Sequence, residues 1–319
     1  MHNLFFKHSE FLPLQPNSRF MWLFLAFISA FLLGLYDVIK KISLNNNAVI
    51  PILFLNVLFC CLLFLPIIIL SFFFPATIQN SIFYLPPVSG SAHIYLFIKA
   101  TIVLSSWIFA YFSLKHLPIT IASPIKATQP ILTLLGALTL FGERLNSWQW
   151  LGITTAIFSF YLLSFSGKKE GINFRHNKWI YFMILSVVTG ACSGLYDKFL
   201  LSRFDRMNIQ VWYNFYQLVI MGFILLILWL PRHQQSTPFQ WRNSIPLISI
   251  ALVLADFAYF YALSYEDSMI SIVSLVRRSG VIVSFIAGAI WFKEKNLKAK
   301  LMDLLLVLLG MYFIYLGTK

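Results

Sequence analysis

Gly34-Leu35-Tyr36-Asp37 and Gly194-Leu195-Tyr196-Asp197 are one tetrapeptide met twice, 160 positions apart. Four more matches follow in the same order. Leu55-Asn56 returns as Tyr213-Asn214, and Phe109-Ala110-Tyr111-Phe112 as Phe257-Ala258-Tyr259-Phe260. Ser123-Pro124-Ile125-Lys126 returns as Ser274-Leu275-Val276-Arg277, and Phe141-Gly142-Glu143-Arg144 as Phe292-Lys293-Glu294-Lys295. A single short match arises by chance in apolar sequence. Five in one order, spaced by 148 to 160 residues, mark an internal duplication.

The duplicated material is apolar. Of 319 residues, 59% are hydrophobic and 11% charged, with a mean hydropathy of +0.79. A soluble domain carries roughly a quarter charged residues, so both that class and disorder are excluded. A bilayer core needs about 20 apolar residues per helix. Ten stretches qualify: 20–39, 48–73, 93–114, 119–141, 147–165, 179–201, 210–230, 244–264, 268–292 and 299–317. The expected fold is an all-α integral membrane protein of ten transmembrane helices in two five-helix repeats. Five spans per half make the second half enter the membrane from the opposite side, so the repeats are inverted. That architecture places a site near the bilayer midplane, between the halves. The organisation read from this is a tail at 1–19, a first repeat at 20–166, a linker at 167–178 and a second repeat at 179–317.

Net charge is +13. No basic helix interleaved with aromatics lies outside the spans, so the charge belongs to loops that set topology and meet anionic lipid, not to nucleic acid. Twelve Lys and Arg residues lie on the side opposite the termini against six on the terminal side, which predicts both termini outside. No signal-peptide cleavage site precedes the first span, so that span is expected to stay. The expected location is the cell membrane, in multi-pass form, as a monomer or homodimer. Cys60, Cys61 and Cys192 lie inside spans and form no CxxC pair, which makes them apolar packers. The histidines lack metal-ligand spacing, and there is no HExxH, GxSxG or Gly-rich phosphate loop, so neither a metal, a cofactor nor an enzyme is expected.

The run Pro130…Leu135-Gly136…Phe141-Gly142-Glu143-Arg144-Leu145…Trp150-Leu151-Gly152 resembles the EamA signature of the drug/metabolite transporter superfamily, and a second copy ends in Glu294 with Gly310 near the last span. The resemblance covers nearly the whole chain. It implies a secondary transporter of a small molecule, and members of the superfamily carry amino acids, drugs, nucleotide sugars or sugar phosphates. Members of the nucleotide-sugar branch are drawn with cytoplasmic termini, opposite to the orientation the charge count predicts.

Ten charged residues fall inside the spans. At membrane depth each costs about 2.5–3.5 kcal/mol on insertion scales and marks a functional candidate. Lys300 and Asp303 lie in the first turn or so of the last span, within reach of the interface; Lys99 is placed to snorkel, and Lys198 is near an end. Lys126, Arg277 and Arg278 are deep, and Lys126 and Arg277 are repeat equivalents. Asp256 is the acid deep enough to pair with one arginine. Two cations in surplus favour an anion site over internal salt bridging, because Arg offers a bidentate fork to phosphate or carboxylate and Lys a point charge. The arrangement is similar to the phosphate-translocator branch, which implies a substrate role for Lys126, Arg277 and Arg278, with Tyr259 as the eighth-span tyrosine. Arg277 departs from that branch, which has lysine there, and its third-span histidine has no counterpart here.

Asn56 and Asn214, paired by the repeat, either pack helices or line the site. Tyr36 and Tyr196 read as cavity ends or interfacial belt. Asp37 and Asp197 read as coupling or gating acids, with Asp256, or as local partners of Lys40, Lys41 or Lys198. Glu143 and Glu294 are expected to cap the helix that follows each. Gly190 and Gly194 read as a small-residue pair for close helix approach. The function these features predict is alternating-access transport of a small anionic metabolite, phosphorylated or carboxylated, by exchange. The competing reading is an exporter of amino acids or of small hydrophobic or cationic metabolites with an aromatic cavity.

Overall fold

The computed structural model describes residues 18–141, 146–168, 171–265, 268 and 270–317. All regular structure among these residues is helical. In chain order the helices are α1 Ser18–Leu44, α2 Val49–Phe73, the single turn α3 Pro75–Ile78, α4 Gly90–His116, α5 Ile119–Ala127, α6 Gln129–Phe141 and α7 Ser147–Lys168. The second half contains α8 Lys178–Leu201, α9 Arg206–Ile224, α10 Ser244–Leu263, α11 Ile270–Arg278, α12 Val281–Ile290 and α13 Leu297–Leu316. A π-helical turn, Leu225–Trp229, and a 3-10 segment, Leu230–Gln235, prolong α9. Seven of these helical segments are long and apolar enough to cross a membrane by length and composition.

The fourth and ninth spans, expected as single helices, are each broken in the middle. α5 gives way to α6 at Thr128, and α11 to α12 at Ser279-Gly280. Pro130 explains the first break: it has no N–H, and its ring collides with the carbonyl four residues back, that of Lys126. Gly280 loosens the second. At both breaks the turn tightens, with Thr128 N donating to Ile125 O and Ser279 N to Val276 O. Lys126, Arg277 and Arg278 therefore sit in the last turns of half-helices, where the helix dipole favours positive charge.

The halves interlock. α1 packs along α10, and its repeat equivalent α8 packs along α4, the equivalent of α10. α2 faces α9, and α7 faces α13. At that last crossing the two backbones nearly touch: a Cβ built on Gly152 would lie 2.6 Å from the Gly310 carbonyl oxygen. The polarity is that of a protein dissolved in lipid. Phe24, Phe27 and Phe31 line an exposed face of α1, whereas Asp37 and Lys40 of the same helix are buried.

Two expectations fail at the start of α13. Lys300 and Asp303 do not reach the interface but are 0% and 2% exposed. Glu294 does not cap the following helix. It crosses to the other half and takes the free N–H groups at the start of α5, from Ile119 at 2.7 Å and Thr120 at 3.0 Å. The Thr120 hydroxyl also donates to Glu294, and Lys300 Nζ donates to that hydroxyl at 2.8 Å. Glu143, its repeat equivalent, lies outside the described residues. Glu294→Ala is expected to lower stability by about 1–3 kcal/mol, read from denaturant unfolding in detergent, with Thr120→Val costing less.

Candidate functional site

A cavity of about 140 Å³ lies between the halves. Its wall comes from α1, α4, α5, α6, α8, α9, α10 and α11, and includes residues beside both helix breaks. Of the expected site residues, Lys126, Arg277, Arg278, Tyr259, Asp197, Asp256 and Tyr36 line it, and Asp37 sits behind Lys126 in an adjoining crevice.

The charges form two groups. In the first, Lys126 Nζ donates to both Asp37 oxygens at 2.8 Å, and Lys40 Nζ donates to Asp37 Oδ1 at 2.7 Å. Tyr36 lies beneath both ammonium groups, 4.2 Å from Lys40 Nζ to the ring centre and 5.7 Å from Lys126 Nζ. In the second group, Arg277 Nη2 is bonded to Asp256 Oδ1, and Tyr213 donates to Asp256 Oδ2 at 2.8 Å. The Arg277 guanidinium stacks on Tyr259, 4.1 Å from the ring centre. Lys99 Nζ meets Asp197 Oδ1 at 2.5 Å and donates to Ser193 Oγ at 2.6 Å.

Arg278 differs from the other four cations. It faces the cavity and has neither ion pair nor hydrogen bond with any described residue. Arg277 Nε, which is buried, also lacks a hydrogen-bond partner among the described residues. Lys40, Lys99, Lys126, Arg277 and Arg278 thus face Asp37, Asp197 and Asp256, leaving two positive charges uncompensated. Buried charges are costly unless paired.

Several readings of individual residues change. Tyr36 is not in an interfacial belt but is 3% exposed, inside the protein. Tyr196 is half-buried and its hydroxyl donates to the Tyr95 carbonyl at 3.3 Å. Asp37 does take Lys40, one turn away, and adds Lys126 from another helix. Asp197 takes Lys99 across helices, and the side chain of Lys198 lies outside the described residues. Lys99 does not snorkel; it is 3% exposed. Asn56 and Asn214 are buried away from the cavity. Asn56 accepts from Ser249 Oγ at 3.1 Å, and Asn214 Nδ2 donates to Gln210 O at 2.7 Å. Gly190 does approach a neighbour, Gln129, but Gly194 opens onto the cavity.

The residues missed at the sequence level are Lys40, Lys99, Gln129 and Tyr213. For Lys99 a signal existed. Lys99, Val103, Ser106, Trp107 and Ala110 recur at helical spacing and all line the cavity. A lysine and a serine on one stripe of an apolar helix mark an inward face.

Two matched helical halves closing on a charged cavity near the middle of the bundle are an architecture common among membrane transporters. The chain belongs to the EamA-like transporter family, whose model matches residues 20–165 and again 177–316. It is a multi-pass integral membrane protein that transports small molecules. A protein of known crystal structure, 14% identical, is matched over 91% of this chain and 98% of its own, with a TM-score of 0.56, which shows a shared fold. No functionally curated protein matches the chain.

Asp37→Asn would leave Lys40 and Lys126 without a carboxylate. A loss of about 3–5 kcal/mol is expected in the ligand-free protein, measured by chemical denaturation, and Lys40→Met in the same chain should restore part of it.

Proposed function

We propose that the protein carries a small organic anion, phosphorylated or carboxylated, by alternating access. The observation that carries this reading is Arg278, a cavity-facing guanidinium with no hydrogen bond or ion pair to a described residue, beside the unmatched Nε of Arg277. A guanidinium presents a planar fork that suits carboxylate and phosphate oxygens. The anion would bridge the two breaks, with Lys126 on one side, Arg277 and Arg278 on the other, and Tyr259 beside them. The cavity, at about 140 Å³, is below the roughly 300–1,000 Å³ of drug-sized sites, which suits a compact solute.

The charge surplus also supports exchange. An empty, occluded carrier would bury unmatched cations at low dielectric, and a bound anion lowers that cost. The loaded carrier then crosses more readily than the empty one. The boundaries that follow from this reading are two transporting halves, 20–166 and 179–317, joined by a short linker.

Thermal stabilisation by organic phosphates, carboxylates, amino acids and amines, added one at a time to purified protein, tests the substrate class. Binding at a hundredfold excess over Kd adds about 2.7 kcal/mol of apparent stability. A phosphate or carboxylate compound should stabilise the protein, and Lys126→Gln, Arg277→Gln and Arg278→Gln should each weaken the effect. Stabilisation by a neutral or cationic compound, kept in all three variants, would assign the cavity to an exporter of such metabolites. In vesicles, uptake of the identified anion should rise when the same anion is trapped inside. Equal rates with and without it would rule out exchange.

A further inference from the structure

Gln129 opens α6, directly after the break in the fourth span, and is 8% exposed. It lines the cavity, as do Lys126 and Thr133 of the same span. These three follow one another at steps of three and four residues, so they share one face of the broken helix. Lys126 gives that face a cation. Thr133 spends its proton within the helix, on the Gln129 carbonyl at 3.2 Å. The Gln129 side-chain amide has no hydrogen bond with any described residue.

Packing does not call for a glutamine here. The amide lies against α8 at Gly190, where an added Cβ would sit 2.7 Å from Oε1 and 3.2 Å from Nε2. The repeat equivalents of Gln129 and Gly190 are Gly280 and Ala30. There a Cβ on Gly280 would collide with the Ala30 carbonyl, so that crossing closes on backbone. The first half instead places a polar group on the cavity wall where its duplicate has none. An enclosed amide costs free energy unless its donors and acceptor are met, and what occupies the cavity must meet them.

We propose that Gln129 selects the solute by a hydroxyl group close to its charge, which makes the cargo a hydroxylated organic anion. An amide offers an acceptor oxygen and two N–H donors. Its complement is a group that both donates and accepts, and in a cavity of about 140 Å³ a hydroxyl is the smallest such group. Residues three apart on a helix hold their Cβ atoms about 5–6 Å apart. The hydroxyl therefore lies within a few bonds of the carboxylate or phosphate that Lys126 takes. Gly190 is the positioning residue, because its missing side chain leaves the space in which the amide sits. This rests on the anionic reading of the cavity.

Matched pairs of probes test it by thermal stabilisation of the purified protein, titrated to give affinities. Glycerol phosphate is compared with propyl phosphate, and glycerate with propionate. In the pair whose anionic group the protein accepts, the hydroxylated member should bind about tenfold tighter. Gln129→Met, close in length but without the amide, should bring that ratio near one. A packing defect alone would weaken both members alike and leave the ratio unchanged. Gly190→Ala, which pushes the amide aside, should lower the ratio too, and it serves if the Gln129 variant does not fold. Equal affinities within the pair, or a ratio that survives in both variants, overturn the inference and leave the anionic reading standing. Stabilisation by none of the four overturns the anionic reading, and the role of Gln129 with it.

Discussion

Buried charge at the middle of a lipid-dissolved bundle is the constraint around which this molecule is arranged. Five cations and three carboxylates lie where hydrocarbon surrounds the protein, and nearly every one is held by an opposite charge, a helix end or an aromatic face. The helix breaks belong to the same economy. A continuous helix would offer Lys126 and Arg277 only its uncharged middle. A break offers them a C-terminal turn, whose free carbonyls favour positive charge. Pro130 and Gly280 therefore act on electrostatics as much as on shape.

The duplication makes the arrangement readable in two layers. The duplicated charges, Asp37 with Lys126 and Asp197 with Arg277, balance one another. The charges present in one half only are Lys40, Lys99 and Arg278 against Asp256. The surplus comes from this second layer.

Much of the fold was legible from periodicity and repeats, because hydrophobic length is a direct consequence of bilayer thickness. Lys126, Arg277, Arg278 and Asp256 were legible as a group for the same reason, since charge at that depth is rare. Three kinds of feature were not. The breaks at Thr128 and Gly280 were hidden, because a proline or glycine inside an apolar run also occurs in intact membrane helices. Lys99, Lys300 and Asp303 were misplaced by counting residues from a span end, which ignores that a helix near an interface can be covered by its neighbours. Glu294 was assigned to the wrong helix, because a cap supplied across the duplication leaves no local trace in sequence.

α7 and α13 meet at Gly152 and Gly310, and no described side chain of either lines the cavity. Their value is arithmetical. A half made of the other four spans would have even parity, and its duplicate would enter the membrane in the same sense as the original. Lys126 and Arg277 would then lie at the same depth. One span whose described residues stay out of the cavity wall thus sets the inverted relation between the two halves.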